Sequence, residues 1–118
     1  MDENTKQRLD REWLGSHGFK RESRRQRPDG RSGWLWTRRW DGVVVTFRPH
    51  DQGWSAYVTL QHSEPDGIYE QTVRCDAFSC FPAAALKMAL LGVADIGRIM
   101  RFSDLYEAIG ELRTIAEE

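Results

Sequence analysis

Trp34-Leu-Trp-Thr-Arg-Arg-Trp40, Asp41-Gly42 and Val43-Val-Val-Thr-Phe-Arg-Pro49 form two β-rich runs joined by a two-residue turn signal. Asp-Gly between such runs favours a type I′ hairpin turn, whose twist suits the flanking strands. The turn fixes the pairing: Trp40 opposite Val43, Arg38 opposite Val45, Trp36 opposite Phe47. Side chains alternate across a strand, so one face receives Trp34, Trp36, Trp40, Val43, Val45 and Phe47. The other receives Leu35, Thr37, Arg39, Val44, Thr46 and Arg48. The first set is the expected buried face, with Arg38 as its one charged and unexplained member. If Trp36 is core, Trp36→Ala should cost about 3–5 kcal/mol.

His50-Asp51-Gln52-Gly53 reads as a four-residue turn leading into Trp54-Ser-Ala-Tyr-Val-Thr-Leu-Gln-His62. It places Ala56 opposite Phe47 and Val58 opposite Val45. Trp54, Ala56, Val58 and Leu60 then extend the apolar face, and Ser55, Tyr57, Thr59 and Gln61 the polar one. Two separate turns thus agree on one buried face. After Ser63-Glu-Pro-Asp-Gly67 a fourth strand is expected over Ile68 to Cys75. Tyr69, Val73 and Cys75 point inward there, as does Gln71, and Arg74 points outward.

Helices flank this sheet. Residues 4 to 14 read as a helix capped by Asn4 or Thr5, with Leu9 and Trp13 on one face and Gly15 as its end. A short extra strand is conceivable over Phe19 to Ser23. The nearly uncharged stretch Ser79-Cys-Phe-Pro-Ala-Ala-Ala-Leu-Lys-Met-Ala-Leu-Leu-Gly92 reads as a widely buried helix lying on the Trp face. Asp76 or Ser79 would cap it and Gly92 would stop it. Ser103 would cap a last helix with the stripe Leu105, Ala108, Ile109, Leu112, Ile115 and Ala116. The fold expected is therefore α+β: an N-terminal helix, a four-stranded antiparallel meander and two C-terminal helices, at least one packed on the sheet.

A length of 118 residues suits one domain spanning 1–118, large enough to bury a core unaided. No stretch approaches a membrane span, and the first residues lack the pattern of a signal peptide. With two cysteines, a reducing cytoplasmic setting is expected, Cys75 and Cys80 being ordinary thiols. Charge is uneven. Residues 1–60 hold 12 Lys or Arg and 8 Asp or Glu, residues 61–118 hold 5 and 10, so +4 and −5 sum to the net −1.

Little points to chemistry. His62, Cys75 and Cys80 are ligand types for zinc, but Cys75-x4-Cys80 is not a zinc-knuckle spacing, so no metal and no cofactor is expected. No Gly-rich phosphate loop, paired carboxylates or complete nucleophile set is present, so no enzyme is expected. Two surfaces remain. One is the basic loop 20–33, expected to be mobile or, from the turn signal Pro28-Asp29-Gly30, to be the tip of a long hairpin, with Lys20, Arg21, Arg24, Arg25, Arg27 and Arg31 continuing to Arg39. The other is the polar sheet face with Thr37, Arg39, Thr46, Arg48, Tyr57, Thr59 and Arg74. Tyr and Arg are favoured in protein interfaces, and Arg suits bidentate contacts.

The order of elements resembles, in topology alone, that of double-stranded RNA-binding domains and other small α+β binding modules. It also resembles that of small accessory proteins of phages and plasmids. The resemblance implies a binding role. The function expected is a non-enzymatic protein-binding module (a regulator, inhibitor or adaptor) meeting another protein or its own copy. Nucleic-acid binding through the same arginines is the alternative.

Overall fold

The computed structural model describes residues 2–23, 34–63, 70–99 and 106–117. Its elements are α1 (Glu3–Ser16), β1 (Lys20–Ser23), β2 (Trp34–Trp40), β3 (Val43–His50), β4 (Gly53–Ser63), β5 (Glu70–Ser79), α2 (Pro82–Ile99) and α3 (Tyr106–Glu117). The five strands form one antiparallel meander in the order β1-β2-β3-β4-β5. The class is α+β, with five strands where four were expected. The fifth is Lys20–Ser23, which pairs with β2.

Both central registers stand as the turns dictate. Trp40 faces Val43, Arg38 faces Val45 and Trp36 faces Phe47. Phe47 faces Ala56 and Val45 faces Val58. The turns differ in detail. Among the described residues only Gly18 and Gly42 have positive φ, so Asp41 stays in the ordinary region while Gly42 has φ 77°. That is the φ pattern of a type II turn rather than type I′. At the second turn His50 itself pairs with Gly53, which leaves Asp51 and Gln52 as a two-residue loop. Gly53 is required there because a Cβ would overlap the carbonyl oxygen of Ser79.

Four helix boundaries move. Asp2, not Asn4 or Thr5, caps α1: its Oδ1 accepts from Thr5 N–H at 2.7 Å. The helix passes Gly15 and ends in a left-handed Gly18 (φ 83°). Gly18 N–H donates to Gly15 O at 3.1 Å and Phe19 N–H to Leu14 O at 3.0 Å, a Schellman end that brings the buried Leu14 and Phe19 together. β5 continues to Ser79, so Asp76 and Ser79 are ladder residues opposite Tyr57 and Trp54 rather than caps. α2 begins at Pro82, and Gly92 lies inside it instead of ending it. The ends expected from Ser103, Leu105, Ile68, Tyr69 and the side chain of Gln71 fall outside the described residues.

The core lies between the sheet and the helices. Val43, Val45, Phe47, Ala56, Val58 and Leu60 are fully buried on one sheet face. Leu14, Leu86, Ala85, Ala89, Leu112 and Ile115 meet them from the helices. α2 is buried on that side only; Met88 is 51% and Leu91 66% exposed, so it is not enclosed all round. The β2 tryptophans are less buried than alternation implies, whereas Trp54 on β4 is buried as expected. Trp36 and Trp40 are half-buried and Trp34 is 45% exposed. Arg38 has its explanation in three tethers on the helix side. Its Nη1 donates to His17 O at 2.8 Å and its Nη2 to Glu111 Oε1 at 2.5 Å, and its guanidinium lies 4.4 Å from the Trp40 ring centre. It therefore pins the end of α1 and the middle of α3 to β2.

Candidate functional site

Alternation combined with the registers places Lys20 and Glu22, then Leu35, Thr37 and Arg39, then Val44, Thr46 and Arg48 on the sheet face away from the core. Tyr57, Thr59, Arg74 and Asp76 continue it on β4 and β5. Among the described residues all three helices lie on the other side, so this face is bare. Parallel sheets are covered on both faces, but an antiparallel one can leave a face to solvent or to a partner.

The bare face is not flat. Leu35, Arg48, Tyr57, Thr59, Arg74 and Asp76 line a trough of about 450 Å³, floored in part by Thr46. Thr46 Oγ1 lies 3.5 Å from Oγ1 of Thr37, which is itself buried. The Arg74 guanidinium sits 5.3 Å from the Tyr57 ring centre, and its Nη2 is 3.7 Å from Asp76 Oδ2. Arg39 donates to both carboxylate oxygens of Glu22, at 2.7 and 3.2 Å. That pair holds Glu22 below the usual carboxylate range and raises Arg39 further. Arg48 makes no hydrogen bond or ion pair among the described residues, so one half-buried arginine in the trough wall keeps its donors available.

The expected site residues are thereby divided. Arg39, Arg48, Tyr57 and Arg74 share the bare face. Arg21 does not: it pairs with Trp36 and lies on the opposite, helix side of the sheet. Its guanidinium stacks 4.1 Å from the Trp34 ring centre. A basic surface running continuously from Arg21 to Arg39 is thus replaced by two surfaces on opposite faces. Arg24, Arg25, Arg27 and Arg31, and the order of most of the 20–33 loop, lie outside the described residues.

The helix side has a groove that alternation alone did not reveal. Arg21, Trp34, Trp36, Arg11, Pro49 and Trp54 contribute to a cleft of about 340 Å³ between α1 and the sheet. One wall is fixed by a buried carboxylate. Asp10 Oδ2 accepts from Trp54 Nε1 at 2.9 Å and from Lys6 Nζ at 2.8 Å. Lys6 also donates to Cys80 O at 2.5 Å. The signal that could have found this groove was Trp34 at the strand's first position, beside the charged loop.

No group of three or more His, Cys, Asp or Glu is gathered for a metal among the described residues. Cys75 is buried and Cys80 exposed, both as free thiols, and burial raises the Cys75 thiol above its usual value. No described helix is long and apolar enough to cross a membrane. No family model matches the chain, and neither a curated protein nor a solved structure matches it.

Proposed function

We propose that the protein is a non-enzymatic protein-binding module, a regulator, inhibitor or adaptor of the kind carried by mobile elements, that docks its partner on the bare sheet face. The observation that carries the reading is Arg48, without a partner of its own among the described residues, in a trough beside the Tyr57–Arg74 stack. Tyr and Arg in a concave, partly desolvated site are the usual anchors of protein interfaces. The face is also mixed in charge. Arg39 is matched by Glu22 and Arg74 lies near Asp76, so it lacks the unbroken positive stripe that a phosphate backbone favours. Two free thiols suit a reducing cytoplasmic setting.

A photo-crosslinking side chain at Tyr57, with the exposed Arg8 on α1 as control position, tests this in cells. The reading expects a protein adduct at Tyr57 that survives nuclease, is absent at Arg8, and weakens with Arg48→Ala. An adduct at Arg8 alone, or one lost on nuclease treatment, contradicts it.

Nucleic-acid binding is the second reading, favoured by Arg21 stacked on the exposed Trp34 next to the arginines of residues 24–33. It predicts affinity falling linearly with salt on logarithmic axes. Arg21→Ala should weaken that binding and leave the Tyr57 adduct unchanged.

A further inference from the structure

Among the described residues β5 ends the sheet, and its ten residues pair with β4 without a bulge from Trp54↔Ser79 to Ser63↔Glu70. The opposite edge, β1, is only four residues long. A long regular edge offers a row of unpaired backbone donors and acceptors, and proteins commonly blunt such edges with proline, bulges or lysine. β5 has none of the three.

The register says which backbone groups point outward. His50 and Gly53 close a two-residue hairpin and so form a hydrogen-bonded pair; such pairs alternate along an antiparallel ladder. Trp54, Ala56, Val58 and Leu60 therefore turn their N–H and C=O toward β5, where they meet Ser79, Ala77, Cys75 and Val73. The outward backbone groups are those of Thr72, Arg74, Asp76 and Phe78.

We propose that this edge pairs with the same edge of a second copy, antiparallel, about a two-fold axis through Cys75. That register sets Arg74 opposite the second copy's Asp76, and Asp76 opposite the second copy's Arg74. Both pairs sit at outward-pointing positions, so hydrogen bonding and charge agree. Sliding by two residues to either side centres the axis on Arg74 or Asp76 and puts like charges opposite each other, which is unfavourable. A slide by one residue reverses the faces.

The helix layer agrees with the same edge. On one flank of α2, Lys87 reaches Glu117 of α3. On the other, Gly92 lies against Cys75, whose Sγ would be 3.4 Å from an added Cβ. Met88, four residues before Gly92, shares that β5 flank and is half exposed. The two-fold brings the two copies' α2 flanks to the same side of a ten-stranded sheet, where each Met88 gains apolar cover. The two bare faces become continuous on the other side.

Charge exchange tests the pairing in the full chain. Sedimentation of the wild type should give twice the 13.7 kDa of one chain, in a concentration-dependent way. Arg74→Asp alone and Asp76→Arg alone should each give a single chain, with circular dichroism and melting temperature like those of the wild-type monomer. Mixed together, the two variants should regain the doubled mass, because both cross-pairs are again opposite in sign. The double variant Arg74→Asp/Asp76→Arg should dimerise by itself. A wild type that stays at 13.7 kDa at all concentrations overturns the proposal, as do single variants that remain dimeric or a mixture that stays monomeric.

Discussion

Asp10 is 6% exposed and holds α1 to the sheet through Trp54 while neutralising Lys6. Its removal leaves an indole N–H and an ammonium with a missing acceptor. Asp10→Ala should therefore cost about 1–3 kcal/mol in urea denaturation, and less in a Trp54→Phe background where the indole donor is already gone. Equal costs in the two backgrounds would show that the Trp54 bond contributes nothing. Burial grades the aromatic rings in the same way. Phe47 is fully buried, so Phe47→Ala should reach the about 3–5 kcal/mol typical of a core ring, while Trp36→Ala should fall below it. Alternation told which side of the sheet each ring takes. It could not tell how much a helix covers it, and so the exposure of Trp34 and the Arg21 stack stayed hidden. Arg38 was hidden for a related reason: its acceptors, His17 O and Glu111, belong to elements distant in sequence.

Glu111 links the residue scale to the helices. It accepts from Trp40 Nε1 at 2.8 Å and from Arg38, and these bonds, Trp40 first, hold its carboxyl below the usual carboxylate range. A depressed carboxylate contributes stability that is present above its unfolded value and lost as pH falls through the folded one. The melting temperature should therefore drop on acidification, and Glu111→Gln should flatten that slope. Asp2 and Glu22, also lowered, leave a residual slope. An unchanged slope in Glu111→Gln would remove Glu111 as a cause.

Elements differ in how legibly the sequence specified them. The β2-β3-β4 hairpins were readable because each short turn fixes parity, and parity fixes both register and face. The start of α2 was not. Asp76 and Ser79 are good caps locally, but their places opposite Tyr57 and Trp54 keep both in the extended ladder, where Ser79 also bonds to Trp54. Gly92 shows the same contest between local and tertiary preference. As a left-handed C′ residue it would resist substitution, with Ala costing roughly 1–2 kcal/mol. Inside α2 it has ordinary helical φ and only the Cys75 side chain near an added Cβ. Gly92→Ala should therefore be neutral or stabilise by up to about 1 kcal/mol through helix propensity. Gly18→Ala, at a true left-handed position, should destabilise by roughly 1–2 kcal/mol. Thermal melts of the two variants should shift in opposite directions or at least differ by that gap.

At the scale of the molecule, one sheet face is the core and the other carries no helix among the described residues. The proposed partner site in the Arg48–Tyr57–Arg74 trough follows from that asymmetry, and the proposed second copy from the β5 edge. The polar composition of the face was legible from the sequence, since Thr37, Arg39, Thr46, Arg48, Tyr57, Thr59 and Arg74 follow from period two. The trough was not, because it arises from side chains of four different strands meeting across the sheet.

The most direct test of the asymmetry is thiol labelling of neighbours on β4 in a Cys80→Ser background. Thr59→Cys should react with a water-soluble thiol reagent in the folded protein, beside the trough. Val58→Cys, one residue earlier, and the native Cys75 should react only on unfolding. Protection of Thr59→Cys in the folded chain, or ready labelling of Val58→Cys, would contradict the assignment of the bare face and the binding role built on it.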